Sequence, residues 1–377
     1  MPDWTRSMQQ DYEYYLVDPG TWRDIKRITT VKNCTFGRDL EAETLGSATI
    51  DVAESLGECY FRGYLVTYQD GIKEKHPLGT VLIQTPSTSF DGKSHSTSLD
   101  AYTPLIELKE KLPPLGFSLL KRDNRKIISA AHDLIKEHAR APVIPTESDT
   151  VLAYNFVADP NDTWLSYISD LIANAKYTVY DDSNIPRWTR TGYTLALDEL
   201  GRIMFSPKRD AASMQPVWTY DDGNSSILYP EITTNRDLYG IPNVVEIVYS
   251  QGVRHPDGTI HYSVIKRNED PNSPISIPNR GREIWRRVTE PDFFGGVPSY
   301  RQVEEYAEQM LKELSTLEYT VSYTHGYCPV RIGDCVRLNY SRAGINNVKA
   351  KVISQSISCT PGCPVSEKAI FTNTLWG

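Results

Sequence analysis

The run Cys59-Tyr-Phe-Arg-Gly-Tyr-Leu-Val-Thr-Tyr68 is aromatic and β-branched almost throughout, and Asp70-Gly71 follows it closely. That pattern is a strand running into a two-residue hairpin turn. It commits the first hundred residues to antiparallel β structure. The surrounding sequence agrees. Tyr12 to Val17 is apolar-rich, Leu45 to Val52 alternates, and Val81-Leu82-Ile83 reads as another short strand. Aromatic strands broken by turns about every 8–12 residues point to a sandwich or barrel.

Pro113-Pro114 ends this texture. Apolar residues at 127, 128, 131, 134 and 135, with His138 on the same face, then make a helical stripe that stops before Pro142. A second stripe runs from Asp162 to Lys176, with Asp162 as the expected cap. Tyr177–Tyr180, Tyr193–Leu197 and Arg202–Phe205 read as short strands. From Asn243 the chain is β-like again. Val244–Tyr249 and Ile260–Ile265 flank Pro256-Asp257-Gly258, a hairpin signal. Ser299 to Leu317 is a strongly amphipathic helix with Ser299 as N-cap, and four strand-like segments follow it up to Thr374. The expected class is α+β, mainly β, in three segments: 1–112 (β), 113–242 (mixed α/β) and 243–377 (β, with helix 299–317).

Chemistry leaves little trace. His132 and His138 share a helix six positions apart, which misses the i, i+4 spacing of metal ligands. HExxH, GxSxG and phosphate-loop patterns are absent. Ser118-Leu-Leu-Lys121 matches SxxK but lacks its partner motifs. Asp181-Asp182 and Asp221-Asp222-Gly223 suit β-turns better than acid–base pairs. Cys359 and Cys363 lie in Ser-Cys-Thr-Pro-Gly-Cys-Pro, a turn of free thiols without the four ligands zinc requires. No catalytic residue, metal or cofactor is expected, and the chain reads as a non-enzyme. Its 23 tyrosines suit strand packing and wet interfaces.

The start of the chain lacks the basic-then-apolar layout of a signal peptide, so the six cysteines are expected as reduced thiols. No apolar run approaches the roughly 20 residues of a membrane helix. Net charge is −8, against the basic balance of a nucleic-acid binder. The charge is polarised. Residues 319–377 carry six basic and two acidic side chains, or +4, which leaves −8 − 4 = −12 on the rest. Arg331, Arg337, Arg342, Lys349 and Lys351 are therefore the candidate partner-contact residues.

The order of elements resembles the baseplate hub proteins of tailed bacteriophages and related contractile injection systems, including the hub part of siphophage tail-tip proteins. The resemblance rests on Cys34-Thr-Phe-Gly-Arg-Asp and Glu43 to Val52, on Ile127 to Ile135 and Trp164 to Asp182, and on Asn268 to Ile277. The helix at 299–317 and Cys328-Pro-Val-Arg-Ile-Gly-Asp-Cys-Val complete it. It implies two tube-like β-barrel domains with a mixed α/β insertion between them, and a homotrimeric ring. Such a ring joins a sixfold tail tube or distal tail protein on one face to a threefold spike, fibre or tip protein on the other. DNA passes through without specific binding, and no membrane is entered. The implied place is the virion tail, assembled in the bacterial cytoplasm. A host-glycan-binding tail module and a tail-associated cell-wall hydrolase are the rival readings.

Overall fold

The computed structural model describes residues 2–90, 95–152, 155–173, 177–180, 186–190, 192–209, 211–223, 225–236, 239–289, 299–314 and 316–374. The chain opens with strands β1 (Gln9–Val17), β2 (Asp24–Ile28), β3 (Val31–Asp39), β4 (Gly46–Val52), β5 (Cys59–Gln69), β6 (Ile72–Phe90) and β7 (His95–Tyr102). A mixed stretch follows: α1 (Ile106–Lys109), β8 (Ser118–Leu119), α2 (Ile127–His138), β9 (Phe156–Val157) and α3 (Trp164–Ala173). Next come β10 (Tyr177–Tyr180), β11 (Pro186–Arg190), β12 (Tyr193–Leu197), β13 (Ile203–Pro207), β14 (Trp218–Asp221) and β15 (Leu228–Arg236). The last part holds β16 (Val244–Arg254), β17 (Ile260–Arg267), α4 (Ile277–Arg280), β18 (Trp285–Thr289) and α5 (Tyr300–Leu314). It ends with β19 (Thr316–Gly326), β20 (Cys335–Tyr340), β21 (Ile345–Ser358) and β22 (Pro364–Thr374). The fold is α+β and mainly β, as the sequence indicated.

Contacts delineate two compact units, residues 1–232 with 322–369 and residues 233–321 with 370–377. These do not follow the segments 1–112, 113–242 and 243–377, for two physical reasons. First, α2 and α3 bury Ile127, Ile128, Leu165 and Ile168 in one core with Val17, Trp22, Tyr60 and Leu82 of the opening β segment. Second, the closing strands return to the opening ones. Strand β21 pairs antiparallel with β3, with Ile357 opposite Phe36. The large sheet runs in the order β15-β19-β22-β21-β3-β4-β7-β6-β5-β1-β2, with β14 and β20 branching from β21.

Among the described residues that order is an open path rather than a ring of hydrogen-bonded strands. Side chains of β3 nevertheless reach β5 and β6 across it. Gly63 of β5 and Gly79 of β6 stand directly opposite each other. The ring of Phe36, on β3, fills the space both glycines leave. A Cβ at Gly63 would lie 2.6 Å from that ring, and one at Gly79 would lie 2.9 Å from it. Arg38 reaches the same way, donating from Nη2 to the Leu78 carbonyl at 2.6 Å. Gly63→Ala is therefore expected to cost about 1–3 kcal/mol through overpacking. A shift of the urea midpoint checks this, and Gly57→Ala, where an added Cβ meets nothing within 4 Å, is the control.

The turn and cap readings gain detail. Asp70 (φ 50°) and Gly71 (φ 78°) form the expected hairpin turn, with Gln69 opposite Ile72. Thr163, rather than Asp162, caps α3: its Oγ1 accepts the Ser166 N–H at 3.1 Å. Asp162 instead accepts the Ser166 hydroxyl at 2.8 Å. The Asp181-Asp182 turn lies outside the described residues.

In the second unit β16 pairs antiparallel with β17 and parallel with β18. Val245, Ile247 and Val264 pack against Val303, Ala307 and Leu311 of α5. Ser299 and Gln302 form a reciprocal cap at the start of that helix, with the Ser299 N–H donating to Gln302 Oε1 at 2.9 Å.

Candidate functional site

The five candidate cations fall on and around the antiparallel β20–β21 ribbon. Arg337 stands directly opposite Lys349, and Cys335 opposite Lys351. The two-residue period of a strand therefore puts Arg337, Lys349 and Lys351 on one face. Arg342 is exposed in the tight turn Ser341–Ala343 that joins the two strands. Asp222 holds that turn, accepting the Ser341 N–H at 3.1 Å and its hydroxyl at 2.7 Å. Asp221-Asp222 thus serves as a turn and cap pair. Arg331 lies in the loop before β20.

Cations of this set already have partners within the chain. Lys349 donates from Nζ to the Met214 carbonyl at 3.0 Å. Arg331 makes an ion pair and a hydrogen bond with Glu199, in the turn between β12 and β13. Arg331 and Lys351 also line a cleft of about 850 Å3 together with Asp170, Tyr193, Lys208 and Asp334. Burial pushes the Asp170 and Asp334 carboxyls above the ordinary carboxylate range. Among the described lining residues there is neither a cysteine nor a histidine. The cleft is a mixed-charge recess suited to polar contact.

Lys349 and Lys351 share their face of β21 with Gln355, which is buried in a polar network that the sequence reading missed. Gln355 donates from Nε2 to Glu367 Oε2 at 2.8 Å and to the Val330 carbonyl at 3.0 Å. Its Oε1 accepts Arg38 Nη1 at 3.2 Å. The Tyr323 hydroxyl donates to Glu367 Oε1. His325 Nε2 lies 3.2 Å from Glu367 Oε2, and both side chains have 0% exposure. The other ring nitrogen, Nδ1, faces the Gly326 carbonyl at 2.7 Å. The Tyr220 hydroxyl also faces Nε2, at 3.1 Å; the carbonyl and the carboxylate, which only accept, favour a proton on each ring nitrogen. Burial alone would depress its pKa. Hydrogen bonds to Cys328 and Glu367, with the carboxylate's charge, lift it instead to about 10.

Cys328 Sγ lies 3.9 Å from His325 Nδ1, so thiol, imidazole and carboxylate stand in the order of a hydrolase triad. The three residues are 2%, 0% and 2% exposed. A triad without access to substrate is a structural cluster. Its sequence signal was Glu367 itself, a charge between Val365 and Ala369 on the inward-facing side of β22.

A second buried charge ties the β12–β13 turn to the sheet. Arg62 donates to Thr80 Oγ1 (2.7 Å), Asp24 Oδ1 (2.9 Å) and the Leu200 carbonyl (3.2 Å). Leu200 also accepts Trp22 Nε1 at 2.7 Å and the Thr80 hydroxyl at 2.9 Å. Gly201 beside it has φ +72°, and a Cβ there would meet Thr80 Cβ at 2.7 Å. Glu199, the partner of Arg331, belongs to the same turn.

No protein-family model matches the sequence, and no curated protein matches it. Solved structures do. A tail protein from Neisseria meningitidis MC58 aligns with TM-score 0.63 at 12% identity, over 95% of this chain and 96% of that one. The 43 kDa tail protein of prophage MuSo2 from Shewanella oneidensis aligns with TM-score 0.63 at 11% identity, over 96% and 98%. Prophage tail protein gp18 from Listeria monocytogenes EGD-e gives TM-score 0.51 at 12% identity, over 96% and 95%. Over nearly its whole length the chain has the fold of phage and prophage tail proteins.

Proposed function

We propose that the chain is a structural hub of a phage tail tip or baseplate. Three copies would form a ring that joins a sixfold tail tube to a threefold tip and leaves a channel for DNA. The observation that supports this best is the fold likeness to tail proteins over nearly full length of both chains. A sealed Cys328–His325–Glu367 cluster favours a scaffold over a cell-wall hydrolase. The acidic body, −12 outside residues 319–377, suits a wall that DNA passes without binding. The site of action would be the virion tail, after assembly in the bacterial cytoplasm.

Light scattering after gel filtration tests the ring. The expected mass is three times 42.7 kDa. A monomer at every concentration would contradict self-assembly. The basic ribbon would bear on a neighbouring tail protein, so Lys349→Glu with Lys351→Glu is expected to weaken incorporation into tails about tenfold. Counting incorporated copies against wild type in purified tails checks this, with the light-scattering mass confirming that the ring survives. Unchanged incorporation would remove the ribbon from the contact surface.

A further inference from the structure

Six cysteines occur in the chain and all are free thiols in this structure. Three of them converge, although more than 320 residues separate the first from the others in sequence. Cys34 lies on β3, and Cys359 follows the last residue of β21. The register Ile357 to Phe36 and Ser358 to Thr35 continues one step further, setting Cys359 directly opposite Cys34. The Cys359 N–H donates to the Cys34 carbonyl at 2.9 Å, which fixes that step. Directly opposite residues in an antiparallel pair have Cα atoms about 4.5–5.5 Å apart, inside the range a disulfide spans.

Cys363 is the competing partner, and it is held elsewhere. It sits at φ 42° in the turn after Cys359, with its N–H on the Thr360 carbonyl at 2.9 Å. The Tyr12 hydroxyl donates to the Thr360 carbonyl of that turn at 2.6 Å, and burial raises the Cys363 thiol to about 12.

We propose that Cys34 and Cys359 are an oxidation site: a pair of thiols poised to become a cross-strand disulfide that staples β3 to the end of β21. Access is asymmetric. Cys34 is enclosed, and burial pushes its thiol well above the ordinary cysteine range. Cys359 is 9% exposed, against 3% for Cys34, and lines a groove with Trp4, Met8, Tyr12 and Gly362. A small disulfide oxidant, such as oxidised glutathione, therefore meets Cys359 first. The Cys359 thiolate attacks one glutathione sulfur, forming a mixed disulfide and releasing the first glutathione. The Cys34 sulfur then attacks Cys359 Sγ and releases the second. Two protein thiols and one glutathione disulfide become one protein disulfide and two glutathione thiols. Both protons and both electrons end on glutathione. The staple closes a loop of nearly the whole chain, the arrangement that gains most from a cross-link. A protein assembled under reducing conditions and exposed to air afterwards would be locked by it.

The test uses the full wild-type chain, incubated with oxidised glutathione at mildly alkaline pH, then alkylated and digested without reductant. The expected result is a mass loss of about 2 Da and a peptide pair joining Cys34 to Cys359. The thermal midpoint should rise by about 5 °C and return when a dithiol reductant is added. Cys363→Ser should keep both effects, and Cys359→Ser should abolish both. A bridge mapped to Cys359 and Cys363, a persistent glutathione adduct at Cys359, or no change in mass would each overturn the proposal.

Discussion

Glu367→Gln is expected to destabilise the protein by about 3–5 kcal/mol near pH 6. The reason is the buried pair it breaks. Glu367 accepts from Gln355, Tyr323 and His325, and the histidine has no exposure to water. Removing the carboxylate's charge leaves a buried histidine that must give up its proton to fold, so the stability carried by the buried pair is lost. The pH dependence carries a sign that checks the mechanism. His325 has its pKa raised from 6.5 to about 10 in the folded chain. A group raised on folding contributes stability that is full below its unfolded pKa and is lost as pH rises through the folded value. Wild-type stability should therefore fall between about pH 6.5 and pH 10. In Glu367→Gln the slope in that window should flatten, because the unpaired histidine loses its proton on folding. Urea titrations across the window measure both. A cost under about 1 kcal/mol with an unchanged slope would show that the network carries little stability.

Arg62→Met is the second large expected effect, about 3 kcal/mol. The Arg62 side chain is 4% exposed, and its ion pair with Asp24 spans 2.9 Å. Methionine fills much of the volume but leaves Asp24 without its cation and Leu200 with one donor fewer. The loss should also be local. The turn around Leu200 is held to the sheet by Arg62, Trp22 and Thr80, so its release should expose Arg202 to trypsin. Limited proteolysis under native conditions reads this directly. An intact Arg202 bond together with an unshifted urea midpoint would place the anchor elsewhere.

Local features were legible in the sequence because their causes are local. Asp70-Gly71 and Pro256-Asp257-Gly258 mark hairpins through backbone conformation, and the stripe from Val303 to Leu311 marks α5 through its period. The convergence of Arg337 and Lys349 was foreshadowed only as a charge excess, because register decides which cations meet. What was not legible depends on partners far away in the chain. Nothing near Ile357 says that it pairs beside Phe36, and nothing near Leu200 says that its carbonyl awaits Arg62. The segment limits at 112 and 242 followed changes in texture, but α2 and α3 share a core with Tyr60 and Leu82 across the first of them. Glu367 and Arg62 did leave a trace, as charges within runs whose neighbours are buried. Such a misplaced charge predicts a buried partner without naming it.

The measurement that bears most directly on the central claim is the position of the chain in a tail. Tails assembled with a tagged copy and labelled with gold should carry the label at one end only, where the tube meets the tip. Label spaced along the tube, or confined to fibres away from the tail axis, would contradict a hub.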